Sequence, residues 1–348
     1  MSRTQTPRHY AIVGAGMAGV ACARTLLQAG HRVTVFEKSP GAGGRMATRE
    51  TPLGGFDHGA QYFTVRDPRF ARALETVPGL VRPWSASSVR VLDALGHVLE
   101  AAPPPREPHL VPVPGMNALP RAWGQPLGSA LLTRTRVDRI ERDAIDRRRW
   151  QLHTEAPGGI VHVHGGYDAV LLALPAPQAA ALLDASALAP KPLLGLHEVK
   201  LAPCWTLMVA FPNAMQPGLG TLGPQWNAAR SKHHRVAWLA RESSKPQRAP
   251  IERWTVQASA AWSHEHLEDE PARVEAKLQR AFAEITGIRA TPGHSAVHRW
   301  RYAKTLQPLG QSHLWDAKSG LGACGDWCLG HRVEDAFISG LSLALAVL

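Results

Sequence analysis

Three glycines carry the first chemistry in this chain. Gly14, Gly16 and Gly19 stand at G-x-G-x-x-G spacing within GAGMAG, and a carboxylate, Glu37, follows at the offset that motif requires. Gly14 permits a tight turn, Gly16 lets backbone approach a pyrophosphate, and Gly19 lets a helix pack against a strand. Met17 and Ala18 would bring their N–H groups to that helix start. Glu37 can accept from both hydroxyls of an adenosine ribose. A second glycine turn, Gly41-Ala-Gly-Gly-Arg45, ends in a guanidinium. A plain nicotinamide dehydrogenase runs straight into helix here, so Gly44 and Arg45 suit a longer dinucleotide whose pyrophosphate takes another clamp. A third stretch, Asp57-His-Gly-Ala-Gln-Tyr-Phe63, again pairs small residues, Gly59 and Ala60, with polar and aromatic ones, Gln61 and Tyr62. Such a loop can lie against something flat, or it can be an ordinary turn into a strand.

The elements that must position these residues are legible around them. Tyr10–Val13 is an apolar run fit for a buried strand, and His31–Phe36 reads as a second strand ending at Glu37. Between them lies a helix with Ala18, Ala21, Leu26 and Leu27 as apolar positions and Gly30 as its stop. Asp67-Pro68 predicts a short helix through Leu74, and Val89–Leu92 a strand. The prolines from Pro103 to Pro114 predict a connector between residues 101 and 114, not a strand interior. Ala118–Trp123 reads as a helix, and Thr133–Ile140 as a strand with Trp150–Thr154 as its hairpin partner. Tyr167–Leu174 is a continuous apolar run, as in a parallel strand covered on both faces, and it gives way to a helix opened by Pro175.

Residues 186–295 read as a second domain. Val199–Phe211, Arg235–Ala240 and Thr255–Ala261 are its predicted strands, with Trp205, Trp238, Trp254 and Trp262 spread over them. These tryptophans suit a core, and they also suit the wall of a flat-ligand pocket. Val274, Leu278, Phe282 and Ile285 form the packing stripe of a helix that starts near Pro271 and ends at Gly287. His298–Tyr302 is strand-like, with Arg299 and Arg301 flanking Trp300. Leu321–Asp326 is a strand ending in Gly325-Asp326, and a helix runs on from Val333.

Composition bounds the rest. The 348 residues can hold two domains, and 45% hydrophobic content is ordinary for a globular chain. The four cysteines have neither metal-ligand nor disulfide-framework spacing, which suits a reducing cytosol, and no apolar run suits a signal or a membrane span. No metal, nucleic-acid or membrane partner is expected. The net charge of +11 comes from scattered arginines, with one dense run, Arg147-Arg148-Arg149, in an expected exposed turn. That charge can draw in an anionic small molecule, or it can be a soluble basic surface. No nucleophile dyad is visible.

The pieces together resemble a known family. Glu37-Lys38 followed by Gly43-Gly44-Arg45-Met46 resembles the flavin amine oxidase superfamily, where this turn lies along FAD. GAQYFT at 59–64, PGM at 114–116, LPAPQA at 174–179, WLAR at 238–241, SKPQR at 244–248, HRWRYA at 298–303 and CGDWCLGHRVEDAFISG at 324–340 narrow the resemblance to the bacterial renalase-type flavoproteins. It is dispersed over nearly the whole chain. The fold class it implies is α/β, a two-domain p-hydroxybenzoate-hydroxylase-like flavoprotein with a Rossmann-type FAD domain and an antiparallel-sheet substrate domain. We place the discontinuous FAD domain at 1–66, 112–184 and 296–348, and the substrate domain at 67–111 and 185–295.

The resemblance implies non-covalent FAD. The implied contacts are Gly14, Gly16, Met17, Ala18, Gly19, Glu37, Lys38, Gly44, Arg45, Met46, Gly59, Ala60, Gln61, Tyr62, Val137, Gly325, Asp326, Arg332 and Val333. Val137 would offer backbone to adenine, Asp326 would hold a ribityl hydroxyl, and the helix beginning at Val333 would aim N–H groups at the flavin edge where negative charge collects on reduction. The implied chemistry is removal of a hydride from a mis-reduced dihydronicotinamide dinucleotide, with molecular oxygen taking the electrons. Its residues of interest are Tyr62, Trp205, Trp238, Gln257, Arg299 and Trp300, with Arg241 and Lys245 as further cations for a phosphate. The alternatives are a flavin oxidase of a small amine and a nucleotide-binding module without redox chemistry. Three places depart from the family's pattern: Asp335 replaces a small residue, Gln257 a histidine, and 212–234 is longer and more irregular.

Overall fold

A computed structural model of the protein describes residues 6–84, 89–100, 107–156, 158–215 and 223–348. Pro103, Pro104 and Pro105 of the expected connector, and Pro217, Gly218 and Gly220 of the irregular stretch, lie outside the described residues. The chain divides into two compact units. The first comprises Met1–Gly44, Leu119–Lys200 and Thr305–Leu348, and the second Arg45–Ala118 and Leu201–Lys304.

The first unit is built on a six-stranded sheet. Its order is Leu314–Asp316, Leu321–Ala323, Ala169–Leu172, His9–Val13, Arg32–Phe36, Leu131–Leu132. All neighbours are parallel except the first pair. The register sets Tyr10 beside Ala169 and Val33, so the apolar run of the first strand is covered from both sides in the sheet. Ala169–Leu172 is buried at every position, as a strand with helices on both faces must be. The Met17–Gln28 helix lies against the Val333–Val347 helix so closely that a Cβ on Gly340 would come 2.1 Å from the Ala18 carbonyl oxygen. A three-stranded antiparallel meander, Arg136–Arg142, Trp150–Ala156 and Ile160–Tyr167, fills the long connection before the central strand.

The second unit is built on a seven-stranded sheet. Its order is His294–Gln307, Lys200–Phe211, Glu252–Ala258, Val236–Arg241, Ala228–Ser231, Val89–Leu92, Val98–Glu100. Alternation along each strand gives the sheet two different faces. One face carries Trp205, Leu207, Val209, Trp254, Val256 and Leu239 into a core with Val274, Leu278, Phe282 and Ile285 of the Pro271–Thr286 helix. That helix ends at Gly287, whose φ of 74° is the left-handed conformation expected of a glycine stop. The other face carries Met208 and Ala210 against Phe56, and it belongs to the candidate site.

Three expectations change. His294–Gln307 is an edge strand of the seven-stranded sheet, so the second unit reaches Lys304, not 295. It also takes Arg45–Ala118 as one block, so the expected boundaries at 66, 111 and 184 move to 44, 118 and 200. The strand had to be assigned from its own residues, and nothing in them says which sheet it joins. Within the expected connector, Leu110–Pro112 is a short strand pairing with Val81–Pro83. Its proline closes the strand, where the missing donor breaks no interior ladder. The alternation at 255–261 stops at Ala258 because Ser259 caps the Ala260–Glu265 helix, accepting from the Trp262 N–H. All four cysteines are free, and among the described residues no helix is long and apolar enough to cross a membrane.

Candidate functional site

The glycine turn of the first unit is held almost entirely by backbone. Gly14 takes φ 105° and donates its N–H to the Phe36 carbonyl at 2.8 Å. A Cβ there would lie 2.5 Å from the Ala173 carbonyl oxygen, and one on Gly19 would lie 1.9 Å from the Gly14 oxygen. Gly16 is the N-cap of the Met17–Gln28 helix, which has no side-chain cap and no acid in its first turn. Its positive end is therefore left to whatever anion the turn receives. Met17 and Ala18 bury their side chains, so only their backbone can serve a ligand. The second glycine turn packs onto the first: Gly43 donates to the Ala15 carbonyl at 2.9 Å, and a Cβ on Gly44 would reach Gly16 Cα at 3.1 Å. Lys38 is exposed beside them.

Glu37 closes this turn. Its carboxylate accepts from the Ala15 N–H at 2.8 Å and the Ser39 N–H at 2.7 Å, and the residue is buried. A carboxylate has about four acceptor positions, so two N–H bonds leave room for two ribose hydroxyls. The uncapped helix start, the Cβ-free approach at Gly16 and the half-used carboxylate fit the adenosine and pyrophosphate of FAD. Val137 pairs with Thr154 next to a register shift, which frees backbone from the ladder there. Replacing Glu37 with alanine removes a charge-assisted acceptor, a loss of about 1.5–3 kcal/mol. FAD affinity should fall about one to two orders of magnitude. Titrating apo-protein with FAD checks this, and an unchanged dissociation constant would take Glu37 out of the site.

The far end of the same unit supplies Asp326, buried, whose Oδ2 accepts from Thr305 Oγ1 at 3.3 Å. Gly325 donates its N–H to Ser339 Oγ at 3.0 Å. The Val333–Val347 helix begins as expected, yet its first turn carries Glu334 and Asp335, and Asp335 accepts the Arg332 N–H at 2.8 Å. The residue that departs from the family pattern thus takes the N–H of the N-cap, Arg332, just ahead of the helix.

In the second unit, residues 56–62 lie across the face of the sheet opposite the tryptophan core. Phe56 packs on Met208 and Ala210. His58 stacks on Trp300, with ring centroids 5.1 Å apart, and its carbonyl accepts from Trp300 Nε1 at 2.9 Å. His298 meets His58 edge-on at 4.8 Å. Gln257 Nε2 donates to the Gly59 carbonyl at 2.6 Å. Ala60 donates to the Arg45 carbonyl at 2.8 Å, and a Cβ on Gly59 would lie 2.1 Å from that same oxygen. Arg45 also reaches the Ala303 carbonyl, and Met46 is buried. Tyr62 stacks on His109 at 3.9 Å and lies 5.9 Å from Trp238 and 6.3 Å from Trp84. Gln61 Nε2 donates to the Asp57 and Gly59 carbonyls, so Gln61 and Gln257 fix the loop backbone, while Tyr62, Trp238 and Trp300 supply flat surfaces on one sheet face. His58 and His298 are both pushed down to about 4, by burial first. His298 also opposes protonation of His58, and Arg49 lowers both. Both imidazoles are neutral near pH 7.

Four expected residues are placed elsewhere. Trp205 is fully buried in the helix-covered core, with its indole N–H donating to the His266 carbonyl at 2.9 Å. Trp254 and Trp262 share that core, Trp262 from the Ala260–Glu265 helix, so of the four tryptophans expected over these strands three pack and Trp238 faces the loop. Arg299 lies on the Trp205 side, bonded to the Leu267 carbonyl and Glu268, because alternation puts it opposite Trp300. Arg241 is paired with Glu252 at 3.0 Å and stacks over Trp254. Lys245 is wholly buried between Asp57 and Glu242, 3.0 Å from each. None of these cations is available to a phosphate.

Sequence reasoning missed the group around Lys245. Asp57 accepts from Thr48 Oγ1, the Met116 N–H, Lys245 and Arg248, at 2.7, 2.9, 3.0 and 2.7 Å. Asp57 and SKPQR were each visible, but nothing in the sequence pairs residues so far apart.

Known proteins agree with this architecture. A family model for an NAD(P)-binding Rossmann-like domain matches residues 12–77. The L-amino-acid oxidase of Bothrops pauloensis is 54% identical over 48 residues, 14% of this chain and 10% of that one. The chain spans about a tenth of the length of the curated relatives it matches. Among solved structures, the cyclohexylamine oxidase of Brevibacterium oxydans IH-35A aligns over 98% of both chains with a TM-score of 0.72 at 14% identity. A protein provisionally titled protoporphyrinogen oxidase from Exiguobacterium sp. 255-15 aligns over 99% of both chains at 0.73 and 15% identity. These structures establish the fold, a two-domain α/β flavoprotein architecture. The family model for flavin containing amine oxidoreductases matches residues 100–348. With that match over most of its length, beside a nucleotide turn that fits FAD, the chain belongs to the flavin-containing amine oxidoreductase family.

Proposed function

We propose that this protein is an FAD-dependent oxidase that removes a hydride from 2- or 6-dihydro isomers of NAD(P), releasing NAD(P)⁺ and, with oxygen, hydrogen peroxide. The observation that carries the reading is the chemistry of the sheet face under residues 56–62. It offers the rings of Tyr62, Trp238 and Trp300, the amide of Gln257 and two neutral imidazoles. A dihydropyridine becomes an aromatic cation when its C–H bond breaks with both electrons leaving as hydride. No proton has to be removed from it, so the site needs flat walls and orientation more than a base. FAD, when bound, supplies the two-electron acceptor, and oxygen with one proton from water leaves as hydrogen peroxide. Tyr62 and Trp238 would flank the ring, and Gln257 would keep the Gly59–Ala60 backbone in place. The net charge of +11 favours the approach of an anionic dinucleotide.

A second reading, oxidation of a small amine, is favoured by the family and by the Tyr62–Trp238 pair, which could flank an amine. One experiment separates the two. Under anaerobic mixing, flavin absorbance should bleach fast with the 2- or 6-dihydro isomers, slowly with the ordinary 4-dihydro forms, and not at all with catecholamines or polyamines. Added salt should slow the fast reaction by screening the attraction. Rapid reduction by an amine, with the dihydro isomers inert, would overturn the dinucleotide reading and leave amine oxidation standing.

A further inference from the structure

The cations expected to meet a phosphate are all engaged, yet the second unit carries another on the loop-bearing face of its sheet. Arg230 stands across from Trp238 in the antiparallel ladder, and Ala228 stands across from Ala240. Such partners project to the same side, with Cβ atoms about 4.5–5.5 Å apart. Ala229, between the two, packs into the helix-covered core. Alternation therefore turns Arg230 to the other face, which it shares with Trp238 and residues 56–62. The electrostatics agree. Burial, then Arg230, holds the His109 imidazole below its ordinary range, with Glu107 opposing. His109 stacks on Tyr62 at 3.9 Å, and Tyr62 lies 5.9 Å from Trp238. Arg230 thus acts on one ring neighbour of Tyr62 and adjoins another.

Arg230 lacks an acid. It is exposed, and among the described residues no hydrogen bond or ion pair holds it. Arg241 is paired with Glu252, Arg248 with Asp57, and Arg299 and Arg301 with Glu268. Glu107, the acid that also acts on His109, is paired with Arg66. An exposed arginine alone would mean little; the register beside Trp238 is what gives this one a task. A guanidinium is always charged, and its planar fork of donors matches phosphate oxygens. Arg49 is the rival cation, acting on His58 and His298 at the Trp300 end. The strand of Trp300 lies three places from the strand of Trp238 in the sheet, about 14 Å away. A ring held against Tyr62 and Trp238 would carry its anionic arm to Arg230 first.

We infer that Arg230 is the phosphate-binding residue of the substrate site, its guanidinium meeting the phosphate next to the nicotinamide ribose while the ring lies between Tyr62 and Trp238. This rests on the dinucleotide reading above and names the residue that makes a phosphorylated substrate preferred over a neutral one. The preference is then a local contact, not only the pull of the whole basic surface.

The test uses the FAD-loaded protein in anaerobic rapid mixing, with flavin bleaching followed against substrate concentration. The substrates are the 2- or 6-dihydro isomers of NAD, of nicotinamide mononucleotide, which keeps one phosphate, and of nicotinamide riboside, which has none. Arg230→Gln should raise the half-saturating concentration of the first two about 5- to 20-fold. It should leave the riboside, and the limiting bleaching rate with every substrate, within about twofold. Arg230→Lys should recover part of the loss, since it restores the charge without the fork. Arg49→Gln removes an equal charge from the same unit and should leave the mononucleotide within about twofold. Equal losses with the riboside would mean that Arg230 only supports the sheet. A loss confined to the dinucleotide would place Arg230 on the adenosine side. No loss, or one that Arg49→Gln reproduces, would mean that net charge alone acts. Each of these outcomes would overturn the inference while bleaching of the wild type kept the dinucleotide reading. A wild-type flavin bleached by none of the three substrates would overturn both.

Discussion

Gly19→Ala should yield an unstable protein that does not retain flavin, although it adds only a methyl group. The new Cβ would lie 1.9 Å from the Gly14 oxygen, 3.0 Å from its carbon and 3.1 Å from Ala173 Cβ. Neither neighbour can give way cheaply. Gly14 is tied to Phe36 through its N–H, and at φ 105° it stands where not even a Cβ of its own would clear the Ala173 carbonyl. The Met17–Gln28 helix must lift off the first strand, and overpacking at a backbone contact costs at least about 1–3 kcal/mol. Gly16→Ala is the informative partner. Its Cβ would meet only Gly44 Cα at 3.9 Å, and Gly16 has φ −74°, which alanine adopts without strain. That variant should keep the apo-protein's melting temperature within a few degrees and still lose most of its flavin, because the free space there belongs to the pyrophosphate. Melting temperature of the apo-proteins and FAD content after acid release check both. Gly19→Ala purifying yellow with an unchanged melting point would refute the contact.

This contrast marks what the sequence makes legible. Gly14, Gly16, Gly19 and Glu37 act through local backbone geometry, so their spacing alone places them, and the strand, turn, helix and strand around them lie where the apolar pattern predicts. The helix ending at Gly287 and the meander partner at Trp150 are local in the same sense. Pairing across the chain is not legible that way. HRWRY reads equally as an edge strand of either sheet, and it belongs to the one that carries Trp205 and Trp254. Trp205 and Trp238 look alike in sequence, yet one faces a helix and the other a loop. The register shift between Val236 and Trp238 breaks the simple alternation that would have assigned them. Arg299 is the opposite case: alternation with Trp300 was visible, and it correctly separates the two faces. The arginines and lysine offered as phosphate ligands failed because a cation's partner is decided by chain topology.

The second large effect concerns that hidden partnership. Asp57→Asn should destabilise the protein by about 3–5 kcal/mol, although it changes neither shape nor size. Asp57, Lys245 and Glu242 have no exposed side-chain surface, and Arg248 has almost none. Two carboxylates face two cations, and Thr255 Oγ1 adds a bond to Glu242 at 2.7 Å. Removing the Asp57 charge leaves a net buried positive charge with no water to spread it. Asp57→Asn combined with Lys245→Met restores one carboxylate against one cation. The double variant should therefore lose distinctly less stability than the two single losses added. The acid side gives an independent reading. Burial alone would raise the Asp57 carboxyl, but Lys245 and Arg248 outweigh it and hold it at about 2. A depressed carboxyl stabilises the folded chain above its ordinary value near 3.9, and that stability is lost as pH falls toward 2. Glu242, raised chiefly by burial, has the opposite sign: its contribution is full below the ordinary carboxylate range and is lost as pH rises through its raised value. Urea unfolding at pH 7, 4 and 3 should show wild-type stability falling between the last two values, and Asp57→Asn should flatten that fall. An asparagine variant within about 1 kcal/mol of wild type at pH 7, with the same acid slope, would mean that the Asp57 charge contributes nothing to this core.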